Sequence, residues 1–306
     1  MLQTRTDRFV PLVHHPGYVA DMPGGHRFPM AKFGALAQHL RDEGLVPNGY
    51  FKPREAPDGW LTLAHDPAYV DAVNNASVPP KIAREIGLPM THSVGRRGRL
   101  ATAGSVLTGQ LALEHGMAAN TAGGSHHARY EQGAGFCVFN DVAVAIRALQ
   151  ADHAIDRAAV IDLDVHQGDG TAHIFKGDDS VLTLSVHGEK NYPRRRATST
   201  IDIELPDNVG DTAYLDVIRS AIPRALDGFG PDIVFYNAGV DPHQDDKLGR
   251  MALSTQGLFE RDRFVVDATR SRGLPLAVVI GGGYSDDHPS VGIRHSIIHK
   301  VLWEFL

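Results

Sequence analysis

The chemistry of the chain is densest in one stretch, Ala158-Ala-Val-Ile-Asp-Leu-Asp-Val-His-Gln-Gly-Asp-Gly170. An apolar run leads directly into Asp162, Asp164, His166 and Asp169. Carboxylates gathered at the end of a buried strand repel one another, and taking them out of water costs several kcal/mol unless positive charge sits among them. A divalent metal ion supplies that charge. In extended backbone Asp164 and His166 point to the same side, so an oxygen and a nitrogen can meet one ion, with Asp162 on that side behind them. Asn237-Ala-Gly-Val-Asp241 follows another apolar run and offers Asp241 as a third ligand. Three protein ligands leave one position of a tetrahedral zinc open for water or substrate. Two carboxylates among the three cancel the formal charge of the ion, so such a centre acidifies its water weakly and leans on a general base. The tandem His126-His127 after Gly123-Gly124-Ser125 offers that base, with Asp162 and Asp169 as carboxylates to orient the rings. Gly281-Gly-Gly-Tyr284 puts a phenol on a bare turn, where it can donate to an oxyanion opposite the metal. The set reads as amide hydrolysis by metal-activated water, one histidine taking a proton and a histidine returning one to the leaving amine. The residues leave open which histidine is base and which acid. Iron(II) or cobalt(II) suits an Asp-His-Asp set as zinc does.

Residues so far apart need a frame that brings them to one edge. Residues 160–163, 181–186, 233–236 and 277–280 are apolar runs of strand length. Amphipathic stretches alternate with such runs: residues 100–115, 141–150 behind a capping Asn140, 212–226, and 259–272 closed by Gly273. Strand and helix in alternation predict a parallel sheet covered on both faces. The runs end on Asp164 and His166, Ser185 and His187, Asn237 and Asp241, and the Tyr284 turn; Asn120-Thr-Ala leads into the histidine pair. Sites in open parallel sheets form outside the carboxyl ends of the strands, so these five segments are expected to converge.

Composition narrows the class. At 42% hydrophobic and 22% charged, the 306-residue chain has the balance of a globular protein, and no repeat, linker or low-complexity tract divides it. Thirty-six acids against thirty bases leave a net charge of −6, which argues against a dedicated nucleic-acid surface. The basic clusters Arg96, Arg97, Arg99 and Arg194-Arg195-Arg196 read as solvated faces or loops. A single cysteine, Cys137, excludes an internal disulfide and a cysteine zinc finger and fits a reducing compartment. Residues 1–7 are polar and lead into no apolar leader, and residues 274–280 are too short to cross a bilayer, so a cytoplasmic protein is expected. Gly123-Gly124 is followed by neither a dinucleotide fingerprint nor a Walker lysine.

Gly-Gly-Ser-His-His-Ala (123–128), Gly-Phe-Cys (135–137), Asp-Leu-Asp-Val-His-Gln-Gly-Asp-Gly (162–170), Asn-Ala-Gly-Val-Asp (237–241) and Gly-Gly-Gly-Tyr (281–284) together resemble the zinc-dependent histone deacetylase superfamily. That superfamily also holds acetoin-utilisation proteins and acetylpolyamine amidohydrolases. The resemblance runs from His26-Arg-Phe-Pro-Met30 to the C-terminus, and Gln167 with Lys247-Leu-Gly is most similar to the class IV branch. It implies an arginase-like three-layer α/β fold, with a central parallel sheet of about eight strands, helices on both faces, and residues 1–306 as one catalytic domain. It implies one Zn2+ on Asp164, His166 and Asp241, acid–base roles for His126 and His127 paired with Asp162 and Asp169, and an oxyanion role for Tyr284. Gly135, Phe136, Tyr192 and Leu248 match the walls of a tunnel for an acyl-lysine side chain. Asp162, Asp164, His166, Ser185 and Val186 match the lining of a K+ site, several through backbone carbonyls. The implied activity is removal of an acetyl or longer fatty acyl group from lysine in a protein or peptide, with no nucleic acid and no membrane span involved. Acetylated polyamines or other small acetylated amines are the alternative substrates, and a non-catalytic acyl-lysine reader is the alternative class. A ureohydrolase on the same fold would carry an aspartate where Gly168 stands, and so loses a ligand of its second metal.

Overall fold

Among the described residues seven parallel strands form one sheet in the order β1-β2-β7-β6-β3-β4-β5. They are β1 (Leu12–Val13), β2 (Met117–Asn120), β3 (Ala158–Asp162), β4 (Val181–Gly188), β5 (Ile201–Leu205), β6 (Ile233–Asn237) and β7 (Leu276–Val279). The computed structural model describes residues 9–306; the polar residues 1–7 lie outside them. β2, β3, β4, β6 and β7 are buried at every position, whereas β5 at the edge alternates along its length. That contrast is what helices on both faces of the inner strands produce. His92–His115 packs with Asp141–Ala151 and against β2 and β7, while Asp211–Phe229, Thr255–Arg270, His288–Glu304 and Lys32–Asp42 pack in series.

The described residues give the sheet seven strands where about eight were expected. Beyond β1 the next position is a single bridge, Val13 to Phe51. Phe51 donates its N–H to Leu12 and accepts from His14, and Pro53, two residues on, has no N–H to continue a ladder.

The helices follow their local signals. The Asn140 side chain accepts from the Ala143 N–H at 3.0 Å and starts Asp141–Ala151. Gly273 takes a positive φ of 71° just beyond a helix that spans Thr255–Arg270, four residues earlier at its start than its apolar period suggested. The helix expected from residue 100 begins at His92, capped by Thr91, and so absorbs the first arginine cluster. Arg96 and Arg99 sit at the surface side, paired with Glu55 and Asp58, but Arg97 is buried with its guanidinium 4.7 Å from the Phe33 ring centroid. The reading of that cluster as a solvated face fails at Arg97, because each helical step rotates the side chain by about 100° and carries it inward. Among the described residues no helix is long and apolar enough to cross a membrane.

β3 and β6 are neighbours, with Asp162 opposite Asn237. From β3 the chain steps outward through β4 to β5, and from β6 it steps the other way to β7. The strand order reverses between β3 and β6, and the crevice outside their carboxyl ends is where such sheets bind ligands.

Candidate metal centre and active site

Asp164, His166 and Asp241 are all buried, and one donor atom from each lies within 4.8 Å of the others. Backbone N–H groups hold one oxygen of each carboxylate: Gly282 donates to Asp164 Oδ2 at 2.6 Å and Val165 to Asp241 Oδ1 at 2.8 Å. The other oxygens, Asp164 Oδ1 and Asp241 Oδ2, face His166 Nδ1 at 2.9 and 3.1 Å, and Asp164 Oδ1 accepts the His166 backbone N–H at 3.0 Å as well. A single N–H cannot satisfy two anionic oxygens at full strength, and burial together with the Asp164 carboxylate pushes the Asp241 carboxyl up to about 7. Two anionic oxygens and one imidazole nitrogen converging in a dry pocket fit a divalent cation. The close approach requires glycine at 282: a Cβ there would sit 2.7 Å from Asp164 Oδ2 and clash with Asp241 Oδ2.

Two histidine–aspartate pairs adjoin the cluster. His126 Nδ1 lies 2.7 Å from Asp162 Oδ2, and His127 Nδ1 lies 2.6 Å from Asp169 Oδ1. The other Asp162 oxygen accepts from Asn237 Nδ2 at 2.9 Å and from the Asp164 N–H at 3.2 Å. Asp169 accepts in addition from Arg129 Nη2 at 2.6 Å. The two pairs are therefore electrostatically unequal. Burial opposes charge on both rings, but at His126 the Asp162 and Asp164 carboxylates outweigh it and lift the pKa to about 9. At His127 burial, then the neighbouring His126, win over Asp169 and lower it to about 4. Gly168 offers no side chain to a second metal, and a Cβ there would run into Asp162 Oδ2.

Tyr284 is buried, and its N–H donates to Asp246 Oδ2 at 2.7 Å. Burial, then the Asp164 and Asp241 carboxylates, raise its phenol well above the usual range, so it remains a proton donor. Its turn is pinned from beneath by the buried Lys32, whose Nζ donates to Gly281 O at 3.0 Å and Gly283 O at 3.4 Å. Gly135, Phe136, Tyr192 and Leu248 all line one cavity of about 560 Å3 that also reaches His127, His166 and Tyr284. Tyr192 stands edge-on to His127 with ring centroids 4.8 Å apart. Gly135 has a φ of 53°, and a Cβ on it would approach His127 Cδ2 to 2.6 Å. Ser185 and Val186 lie elsewhere, on β4, with Ser185 in register with Asp162 and its hydroxyl 2.9 Å from His187 Nδ1. Gln167 is no ligand; its amide clamps Ala197 and Asp202.

Sequence reasoning missed Lys32 and Arg129 and gave Asn237 no role. Asn237 had a signal, because it ends a buried run as Asp162 does on the adjacent strand. Lys32 had none, since its partner lies 249 residues away.

A parallel sheet whose strand tips close on a buried Asp-His-Asp cluster defines a metal-dependent hydrolase of the arginase-like α/β class. The description "Histone deacetylase domain" matches residues 26–298. An uncharacterised protein of Picosynechococcus sp. is 44% identical over 95% of this chain and 97% of its own length. Histone deacetylase 2 of Arabidopsis thaliana is 30% identical over 85% of this chain and 70% of its own, and acetoin utilization protein AcuC of Staphylococcus xylosus is 29% identical over 84% and 73%. The crystal structure of the HDA15 HD domain shares the fold, with a TM-score of 0.82 over 96% of this chain and 89% of that one at 23% identity. The chain belongs to the histone deacetylase family, and it is a hydrolase acting on amide bonds.

Proposed function

We propose that the chain removes an acetyl or longer fatty acyl group from a lysine side chain, with one zinc ion held by Asp164, His166 and Asp241. The observation that carries this reading is the cavity that runs between Gly135, Phe136, Tyr192 and Leu248 to His127, His166 and Tyr284. Its walls suit the methylene stem of lysine, and the groups at its end suit the amide. Bound at the cluster, zinc polarises the amide carbonyl and acidifies water.

His127 lines the cavity and is neutral near pH 7, so it takes the proton from water. Its Nδ1 is engaged by Asp169, which leaves Nε2 as the atom that takes the proton and returns it to the leaving amine. His126, held by Asp162 at 2.7 Å, adjoins the cluster from the other side and is the second acid–base group of the site. The Tyr284 hydroxyl donates to the oxyanion. Gln167 favours the class IV branch. A K+ ion beside Asp162, Asp164, His166, Ser185 and Val186 would be held through backbone carbonyls, because both Asp162 oxygens and the Ser185 hydroxyl already have partners. Residues 1–306 act as one catalytic domain in this reading, supported by one continuous core. The lone buried Cys137 supports a cytoplasmic setting.

The test is hydrolysis of acyl-lysine peptides from acetyl to myristoyl, beside acetylated polyamines, by zinc-loaded enzyme and its Asp164→Ala variant. Turnover of a peptide that the variant loses is the expected result. Turnover of the polyamines alone would replace lysine with a small amine. Silence on every substrate, with zinc bound and the fold intact, would convert the protein into a reader of acyl-lysine.

A further inference from the structure

The mouth of the cavity has a charge opposite to that of the molecule. The chain carries −6 overall, yet the cavity lining includes Arg27, Arg84, Lys190 and Arg250 against one carboxylate, Glu85. Glu85 accepts a hydrogen bond from the Gln132 amide and keeps its charge, so the lining still carries an excess of cations. On one side Lys190 and Arg250 are held by Glu189 and Asp207, at 3.3 Å for Lys190 to Glu189 and 3.0 Å for Arg250 to Asp207. On the other side Arg27 rests its guanidinium 4.9 Å from the Phe136 ring centroid, and neither it nor Arg84 has a carboxylate partner among the described residues. The loop that carries the wall residue Tyr192 continues into Arg194 and Arg195, both exposed and likewise without an acidic partner among the described residues. Arg196 is different, tied back to the Gly188 and Glu189 carbonyls.

Arg27 and Arg84 line the cavity, and Arg194 and Arg195 follow its wall residue Tyr192 by two and three positions; all four are exposed and lack a carboxylate partner among the described residues. The stem of an acyl-lysine in the cavity places the flanking residues of its peptide against them. We propose that this rim is a subsite for carboxylate side chains on either side of the acyl-lysine, so that the enzyme selects acyl-lysine in an acidic sequence and rejects polycations, acylated polyamines included. The inference rests on the lysine-deacylase reading and adds its substrate class. Exposed pairs are individually weak, so two or three acting together shift kcat/KM by about tenfold, chiefly through KM. The effect must fade with salt, since charges separated by more than about 10 Å are screened at 0.1 M.

Three peptides with the same acyl-lysine and flanks of aspartate and glutamate, of serine and alanine, or of lysine and arginine test this. The zinc-loaded enzyme and an Arg84→Glu/Arg195→Glu variant, altered only at exposed positions, are compared for kcat and KM. Fluorescence anisotropy reads binding of the same peptides in parallel. The expected order is acidic over neutral over basic through KM, compressed at 0.5 M NaCl and levelled or inverted in the variant. Turnover with equal KM for all three, or a basic preference, overturns the rim subsite and leaves the deacylase standing. Binding in the acidic order without turnover rejects the deacylase and keeps the subsite, and neither binding nor turnover rejects both.

Discussion

His126 and His127 are adjacent in sequence and opposite in electrostatic character, and the cause is the company of their aspartates. Asp162 meets its histidine beside a second carboxylate, whereas Asp169 is shared with Arg129. Removing the shared charge in Arg129→Gln should raise the His127 pKa and move the acid limb of the kcat/KM profile to higher pH. An unmoved profile would take Arg129 out of the mechanism. Tyr284→Phe should lower kcat by about 10²–10³-fold, the usual loss of one oxyanion donor. Metal analysis of the purified variant should still show a full site, and near-normal turnover would remove the phenol from the chemistry. Asp241→Ala deletes one of two anionic ligands, so both metal content and turnover should vanish; a metal-replete, active variant would reject the ligand set. All of these side chains except Arg129 were legible in the sequence, because a carboxylate or imidazole at the end of an apolar run must be compensated once buried. Arg129 was not, since nothing near it in sequence announces that Asp169 will fold against it.

Strand tips and one turn do the positioning. Asn237 bonds Asp162 from the neighbouring strand, across 75 residues of sequence, and the glycine turn before Tyr284 reaches into the cluster only because it lacks side chains. Gly282→Ala should therefore displace Asp164 or Asp241, cutting metal affinity and turnover together while circular dichroism stays native. Retained affinity would mean the turn yields without strain. β3, β4, β6 and β7 were readable as short apolar runs, and Asn140 and Gly273 as helix boundaries. The start of the helix at His92 was not, because its first turns contain glycine and arginine in place of an apolar period, and contacts with the rest of the fold hold them. The edges were least legible: β1 has two residues and β5 alternates half-buried with exposed positions.

Over the whole molecule, buried neutral histidines make the fold sensitive to acid. Burial lowers the pKa of His14, His65 and His299 to about 4, and that of His295 further. Between pH 6.5 and 4 these histidines bind protons in the unfolded chain and refuse them in the folded one, so the stability they permit is complete above that window and is withdrawn as pH falls through it. Each of the first three withdraws up to about 3 kcal/mol by pH 4, a large fraction of the usual stability of a domain. Scanning calorimetry from pH 7.5 to 4 should show a steep fall in Tm, shallower in His299→Gln; a flat Tm would contradict it. The sequence by itself determined which side chains are candidates for the chemistry and that they belong to strand ends, since side-chain type and two-residue spacing act locally. Only the tertiary structure decided that β6 lies beside β3, that Lys32 and Arg129 hold the site, that Arg97 is buried, and that Arg27 and Arg84 line the cavity. Those outcomes depend on how helices cover both faces of the sheet, which is a property of contacts far apart in the chain.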